Sequence, residues 1–130
     1  MAFLRTKLSR DELFSVMLRS FEYYGKPYDY NFDFATEDSL VCSELVYKSF
    51  RDFRELNIIP GTVNGRLMFT PNDYAEKFDK EYGSANQELS LVLFLDGSEK
   101  NKEAKEGTME EFRTSWQRPK WHVLKEYIEG

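Results

Sequence analysis

Cys42 is the residue of this sequence whose type and position are best suited to chemistry, and it is the chain's single cysteine. It follows a polar, aromatic loop and opens the segment CSELVYKSF, in which apolar residues recur at helical spacing. The unpaired N–H groups in the first turn of a helix favour negative charge, so a thiol there is readily converted to a nucleophilic thiolate. The ordinary alternative is a buried structural cysteine, which composition by itself favours. The surrounding residues therefore have to decide between a nucleophile and a packing residue.

Two predicted helices would position this thiol. The first begins at Ser9, where Glu12 completes a capping-box pattern, and ends near residue 24, just before Gly25. Its apolar residues recur at helical spacing: Leu13, Phe14, Met17, Leu18 and Phe21.

The second predicted helix runs from Cys42 to about residue 56 and ends before Pro60. Cys42 shares one face of this helix with Val46, Ser49 and Phe53. We therefore expect the thiol to point toward the rest of the domain, with the charged residues of the segment around the remaining circumference.

The loop between these helices, residues 26–38, is rich in aromatic and acidic residues. Asp29, Asn31 and Asp33 have the spacing that opens a calcium-binding loop, but Phe34 replaces the required glycine and Leu40 the required glutamate. A single cysteine and a single histidine also exclude a zinc site of the usual spacing. We expect no metal and no cofactor.

The remaining sequence predicts an α+β fold in one domain, residues 1–130, with helices packed on a small, mainly antiparallel sheet. Strands are expected at residues 2–8, 66–69 and 89–95, the last one buried, and helices at 71–81, 109–116 and 120–128. Asp96-Gly97 reads as a turn, followed by a charged and mobile segment at 98–107.

Charge and hydropathy restrict the partners. A net charge of −5 argues against nucleic acid, and no apolar run approaches the length of a membrane span. No signal peptide is recognised, so this chain is expected to be soluble and cytoplasmic, with the compartment of the full-length protein undetermined. Tryptophans and basic residues alternate at 113–125, which would suit an anionic surface, although two tryptophans anchoring a C-terminal helix is the preferred interpretation.

The motif GKPYD at residues 25–29 is followed, thirteen residues after Asp29, by CSELV at 42–46. This pair of motifs resembles the permuted papain-like amidases, the YiiX-like branch of the NlpC superfamily of cysteine hydrolases. The resemblance covers residues 3–56 well and implies a papain-like fold. It implies that Cys42 is a thiol nucleophile that forms an acyl-enzyme.

The resemblance also implies roles for four further residues. Tyr28 would lie beside the oxyanion or substrate site, and the backbone N–H of Cys42 or Ser43 would donate to the oxyanion. Asp29 and Glu44 would hold the loop and the helix start by hydrogen bonds. The substrate would be an amide or ester bond in a peptide, a cell-wall fragment or an acylated amine.

One element of the family pattern is missing. In the permuted order the histidine base lies upstream of the cysteine, and no histidine precedes Cys42 here. His122, the single histidine, falls in a predicted helix and is expected to be a poor candidate for the base. We therefore expect this chain to be the C-terminal part of a longer permuted papain-like domain, with an incomplete catalytic set.

Two further hypotheses follow from the missing half. The chain could be a catalytically inactive papain-like interaction domain whose contact surface is the aromatic loop at Tyr28–Phe34. Alternatively, two chains could associate as a homodimer through the strand edge that the missing half leaves open.

Overall fold

Four helices and five strands form within residues 1–53, 56–63, 65–98 and 101–118, the part of the chain that the computed structural model describes. In chain order they are β1 (Ala2–Thr6), α1 (Arg10–Glu22), α2 (Cys42–Phe50), β2 (Gly61–Val63), β3 (Arg66–Met68), α3 (Pro71–Glu81), β4 (Leu89–Ser98), β5 (Glu103–Glu106) and α4 (Met109–Ser115). This arrangement confirms the α+β class. The helix predicted at 120–128, with Trp121 and His122, lies outside the described residues.

The chain divides into two compact units, which we call the helical unit (Thr6–Pro71) and the sheet unit (Met1–Arg5 with the described residues from Asn72 onward). The helical unit opens with the predicted capping box. The Ser9 hydroxyl accepts from the Glu12 N–H at 3.3 Å, and the Glu12 carboxylate accepts from the Ser9 N–H at 2.7 Å. Gly25 then takes a φ of +81°, which glycine adopts without the steric cost other residues incur, and turns the chain into the aromatic loop.

Helix α1 packs on α2 with its less apolar side. Val16 is buried, and the Arg19 guanidinium forms an ion pair at 2.6 Å with Asp52, just beyond α2. The apolar residues whose spacing predicts α1 are left exposed instead: Leu13, Phe14, Met17, Leu18 and Phe21. Periodicity therefore identifies the helix correctly, but it does not identify which face this unit buries.

Helix α2 ends at Phe50, six residues before the predicted end. Strands β2 and β3 pair as an antiparallel hairpin in the register Gly61–Met68 and Thr62–Leu67. The predicted strand at 66–69 is therefore present, and the segment before it is its hairpin partner. The Phe34 N–H donates to the Leu67 carbonyl at 3.1 Å, which ties the aromatic loop to β3.

The sheet unit contains a three-stranded sheet in the order β1-β4-β5. Met1 and Leu95 exchange both backbone hydrogen bonds, at 2.7 and 2.8 Å, the pattern of antiparallel pairing. Strands β4 and β5 pair antiparallel from Leu95–Glu106 to Ser98–Glu103.

Three predictions for this region are wrong. Asp96 and Gly97 continue strand β4 instead of forming a turn, and Glu103–Glu106 forms a strand within the segment predicted to be mobile. The charged sequence EAKE does not indicate a strand. It forms one because pairing with β4 satisfies its backbone hydrogen bonds. Strand β4 is also not buried on both faces, because Ser90 and Val92 are exposed while Leu89 and Phe94 are buried.

Three aromatic rings form the centre of the sheet unit. Phe78 of α3 is fully buried, with its ring 5.2 Å from that of Phe112, which lies 5.3 Å from Phe94.

Arg113 of α4 and Arg118 just after it form ion pairs within the sheet unit. Arg113 pairs with Asp79 at 2.8 Å, and Arg118 binds both Asp96 oxygens at 2.7 Å. The described part of the tryptophan-rich basic segment is thus held by acids rather than presented as an anion-binding surface.

Candidate active site

Backbone hydrogen bonds bring the two sequence motifs together. Tyr28 forms an isolated parallel bridge with Leu40, in which the Asp29 N–H donates to the Leu40 carbonyl at 3.1 Å and the Leu40 N–H donates to the Pro27 carbonyl at 3.0 Å. Leu40 lies two residues before Cys42. The loop motif GKPYD is therefore fastened to the chain immediately upstream of the cysteine.

Cys42 is the first residue of α2, as the sequence predicts, and Val41 is its N-cap in an extended conformation. The residue is exposed. The expectation that its thiol points into the domain is wrong. Of the predicted packing face, Val46 is 39% exposed, whereas Ser49 is buried. The structural alternative, a cysteine buried in the core, is equally inconsistent with the exposure of Cys42.

The interior side of α2 is polar, which explains why Cys42 does not occupy it. Its buried residues are Ser43, Glu44, Lys48 and Ser49. The Glu44 side chain is completely buried, and its Oε1 lies 2.9 Å from Nζ of Lys48, which is 3% exposed. Its Oε2 accepts from the Val41 N–H at 3.3 Å. Because buried charges are costly unless paired, this ion pair fixes which side of α2 faces inward.

Lys48 extends the connection from α2 to the aromatic loop. Its ammonium donates to the Thr36 carbonyl at 2.7 Å and lies 3.9 Å from the Glu37 carboxylate. The sequence pattern predicts a supporting role for Glu44 and a position on the outer circumference for Lys48, but Lys48 is buried. The available signal was the i,i+4 spacing of an acid and a base, which by itself usually marks an exposed pair.

Asp29 organises the loop from inside. The residue is buried, and its carboxylate accepts from the Asn31 N–H at 2.8 Å and from the Asp33 N–H at 2.7 Å. The hydrogen bond from the Asp33 N–H holds the pKa of Asp29 below its usual value, and the charge of Arg66 contributes in the same direction. Both oxygens thus accept hydrogen bonds from the loop's own backbone.

Three aromatic side chains of this loop, Tyr28, Tyr30 and Phe32, form an exposed cluster that the sequence pattern does not distinguish from the other aromatic residues. The Tyr28 ring packs edge-on against Tyr30 at 5.1 Å and Phe32 at 6.2 Å. Phe34, the fourth ring of the loop, turns inward, is buried and stacks on Tyr47 at 5.9 Å. Three rings of the loop therefore face outward and Phe34 faces inward. The Asp29 turn and the hydrogen bond from the Phe34 N–H to β3 cause this difference.

The structure therefore brings together Tyr28, Asp29, Cys42, Ser43 and Glu44 around one loop and one helix start. His122 lies outside the described residues, among which there is no histidine.

A cavity of about 270 Å³ occurs along and beyond the later turns of α2, lined by Tyr47, Phe50, Arg51, Phe53, Leu56, Asn57 and Ile58. Its lining does not include the cysteine. Across the described ranges, no helix has the length and apolar character required to cross a bilayer.

The thiol at the start of α2 and the loop beside it lie in an α+β fold, as the resemblance to the papain-like amidases predicts. The family model of the permuted papain-like amidase enzyme, YaeF/YiiX, C92 family, matches residues 2–96. The chain belongs to this family. No curated protein and no solved structure matches the chain significantly.

Proposed function

We propose that the chain carries the nucleophile of a cysteine amidase or peptidase, and that Cys42 forms the acyl-enzyme. The observation that carries this proposal is the bridge between Tyr28 and Leu40, which fastens the loop motif next to an exposed thiol at the first residue of α2. The family membership supports the same reaction class, since its model is that of an amidase.

In the proposed reaction the Cys42 thiolate attacks the carbonyl carbon of an amide or ester, and a carbon–sulfur bond forms as the carbonyl electrons move to oxygen. The backbone N–H of Cys42 or Ser43 is the proposed oxyanion donor, because the N–H groups in the first turn of a helix favour negative charge. Collapse of the tetrahedral intermediate breaks the bond to the amine or alcohol, which leaves with the proton that the base has taken from the thiol. Water then hydrolyses the thioester to a carboxylic acid and restores the thiol.

The supporting residues position the substrate, the loop and the start of α2. Tyr28 is the proposed substrate contact, which its bridge to Leu40 supports, and the Asp29 carboxylate holds the loop that carries it. Glu44 fixes the helix start through the Val41 N–H and the Lys48 ion pair. The proposed substrates are a peptide, a cell-wall fragment or another acylated amine. An imidazole base is the remaining requirement, for which His122 is the chain's own candidate.

The experiment is acylation of the intact chain by p-nitrophenyl acetate. We expect a burst of about one p-nitrophenolate per chain, with one acetyl group located on Cys42 by mass spectrometry. The reference is a peptide of residues 40–46, which has the same thiol without the fold, and Cys42→Ala is the blank. The folded chain should react at least about tenfold faster than the peptide at the same pH. Equal rates for chain and peptide would overturn the proposal.

A second variant addresses turnover. If His122 serves as the base, the His122→Ala variant should still be acylated on Cys42. Both the burst and the release of acetate should be slower than in the parent chain. If the kinetics of His122→Ala equal those of the parent chain, His122 is not the base.

The second candidate function is a catalytically inactive interaction domain. One observation favours it: Tyr28, Tyr30 and Phe32 are 49%, 83% and 44% exposed, which is a large aromatic surface for one loop. The same acylation assay separates the two candidates, because an interaction domain needs no reactivity at Cys42 above that of the peptide.

A further inference from the structure

Helix α1 presents an apolar face that the described residues leave uncovered. At about 100° per residue, five large side chains fall within an arc of about 140°. They are Leu13, Phe14, Met17, Leu18 and Phe21, which are 40%, 56%, 47%, 50% and 63% exposed. Single exposed apolar residues are common on proteins, but a continuous stripe along a whole helix marks an interaction surface.

The size of this face suits a symmetric contact. Five side chains of about 200 Å² each, half exposed, present about 500 Å² per chain. Two such faces pressed together would bury about 1,000 Å², which reaches the lower limit for a specific interface before any neighbouring residue is added.

We propose that α1 is the interface of a homodimer, in which it packs antiparallel against α1 of a second copy about a two-fold axis at Met17. Such an axis pairs residues that are equally far from Met17 along the helix. Leu13, four residues before it, then meets Phe21 of the second copy, four residues after it. This contact is independent of the proposed cysteine chemistry.

The charges of the face fit the same arrangement. Arg10 is the one charged residue within the arc, and the axis at Met17 sets it against Tyr24 of the second copy. Tyr24 is 89% exposed and lies just beyond α1, so its ring is available for a cation–π contact. The negative end of the partner's helix dipole also favours a cation at this point.

A membrane surface is the less suitable occupant. Helices that lie on anionic membranes carry lysine and arginine along the polar borders of the apolar face. One border of this face instead carries Asp11 and Glu22, both exposed, and the chain as a whole has a net charge of −5. These charges disfavour anionic lipid and leave a second copy as the complementary surface.

Sedimentation equilibrium of the full chain tests the association. We expect a monomer–dimer equilibrium at micromolar chain concentrations, and we expect Phe14→Glu and Leu18→Glu each to raise the dissociation constant at least tenfold. The matched control is Ser15→Glu, which adds the same charge to the same helix outside the arc and should leave the dissociation constant within twofold. Circular dichroism verifies that each variant retains its helices.

A cross-link tests the geometry. In a Cys42→Ser background, Met17→Cys should give an intermolecular disulfide in oxidised glutathione, because the two-fold axis brings the residue next to its own copy. Phe3→Cys in the same background reports on pairing through the β1 edge and should remain uncross-linked. The proposal is overturned by a chain that stays monomeric, by glutamate variants that dimerise like the parent, by a cross-link at Phe3 but not at Met17, or by a monomer that binds phosphatidylglycerol vesicles.

Discussion

Removing the charge of Glu44 is the most direct test of how α2 is oriented. The Glu44 side chain is fully buried, and the Lys48 ammonium 2.9 Å away is 3% exposed. Glu44→Gln keeps the size of the side chain and an oxygen that can accept from the Val41 N–H. What it removes is the negative charge that balances a buried ammonium.

The expected loss follows from the remaining partners of Lys48. Breaking one side of a buried ion pair costs about 3–5 kcal/mol, because the other charge stays buried without its counterion. Lys48 retains the Thr36 carbonyl at 2.7 Å and the Glu37 carboxylate at 3.9 Å, so the lower value, about 3 kcal/mol, is expected. With an m value of about 1.5 kcal/mol/M, the urea midpoint should fall by about 2 M.

Helix α3 offers a matched control. Glu76 and Lys80 have the same residue types, order and i,i+4 spacing, but their side chains are 31% and 66% exposed. Glu76→Gln should therefore cost about 0.3–0.5 kcal/mol, a midpoint change of about 0.3 M. Urea unfolding followed by circular dichroism measures both variants. Asp52→Asn, which breaks the partly exposed pair with Arg19, is the surface control within the helical unit.

Lys48→Met completes a double-mutant cycle with Glu44→Gln. Each single change should be strongly destabilising, while the double variant should cost less than the two together by at least about 1 kcal/mol, because it leaves no unpaired charge. Equal midpoints for Glu44→Gln and Glu76→Gln, or additive single and double variants, would refute the reasoning that burial of this pair orients α2.

Two further changes test the loop and the sheet unit. The Asp33 N–H holds the pKa of Asp29 below its usual 3.8, so this carboxylate contributes stability above about pH 4 that is lost as the pH falls through the folded-state pKa. The urea midpoint of the parent chain should therefore fall more steeply below about pH 4 than that of Asp29→Asn, and parallel pH profiles would contradict this assignment. In the sheet unit, a Cβ on residue 107 would lie 2.5 Å from Cδ1 of Phe94, so Gly107→Ala should cost about 1–3 kcal/mol. Gly97→Ala, whose Cβ meets nothing within 4 Å, is the control and should leave the urea midpoint nearly unchanged.

The parts of the fold that sequence predicts well are those with local causes. The capping box of Ser9 and Glu12 forms as predicted because its donors and acceptors lie within four consecutive residues. The proline at the first position of α3 and the start of α2 at Cys42 are recognised for the same reason. Neither depends on distant parts of the chain.

The errors arise where distant residues decide. Strand β5 has the charged sequence EAKE, and it is a strand because β4 offers it a row of hydrogen-bonding partners. Similarly, the predicted inward direction of Cys42 is wrong because helical periodicity defines the faces of α2 without indicating which face is covered. The buried pair of Glu44 and Lys48 occupies the covered face, and the cysteine is left in solvent.

The sequence by itself determined the family, the position of the thiol at a helix start and the motif that accompanies it, because each is encoded within a short stretch. Only the tertiary structure decided that Tyr28 is fastened beside Leu40, that an ion pair rather than an apolar stripe forms the interior of α2, and that the apolar face of α1 is exposed. The physical reason is that burial and pairing are properties of two surfaces in contact. One segment specifies its own surface, and the partner segment decides whether that surface is covered.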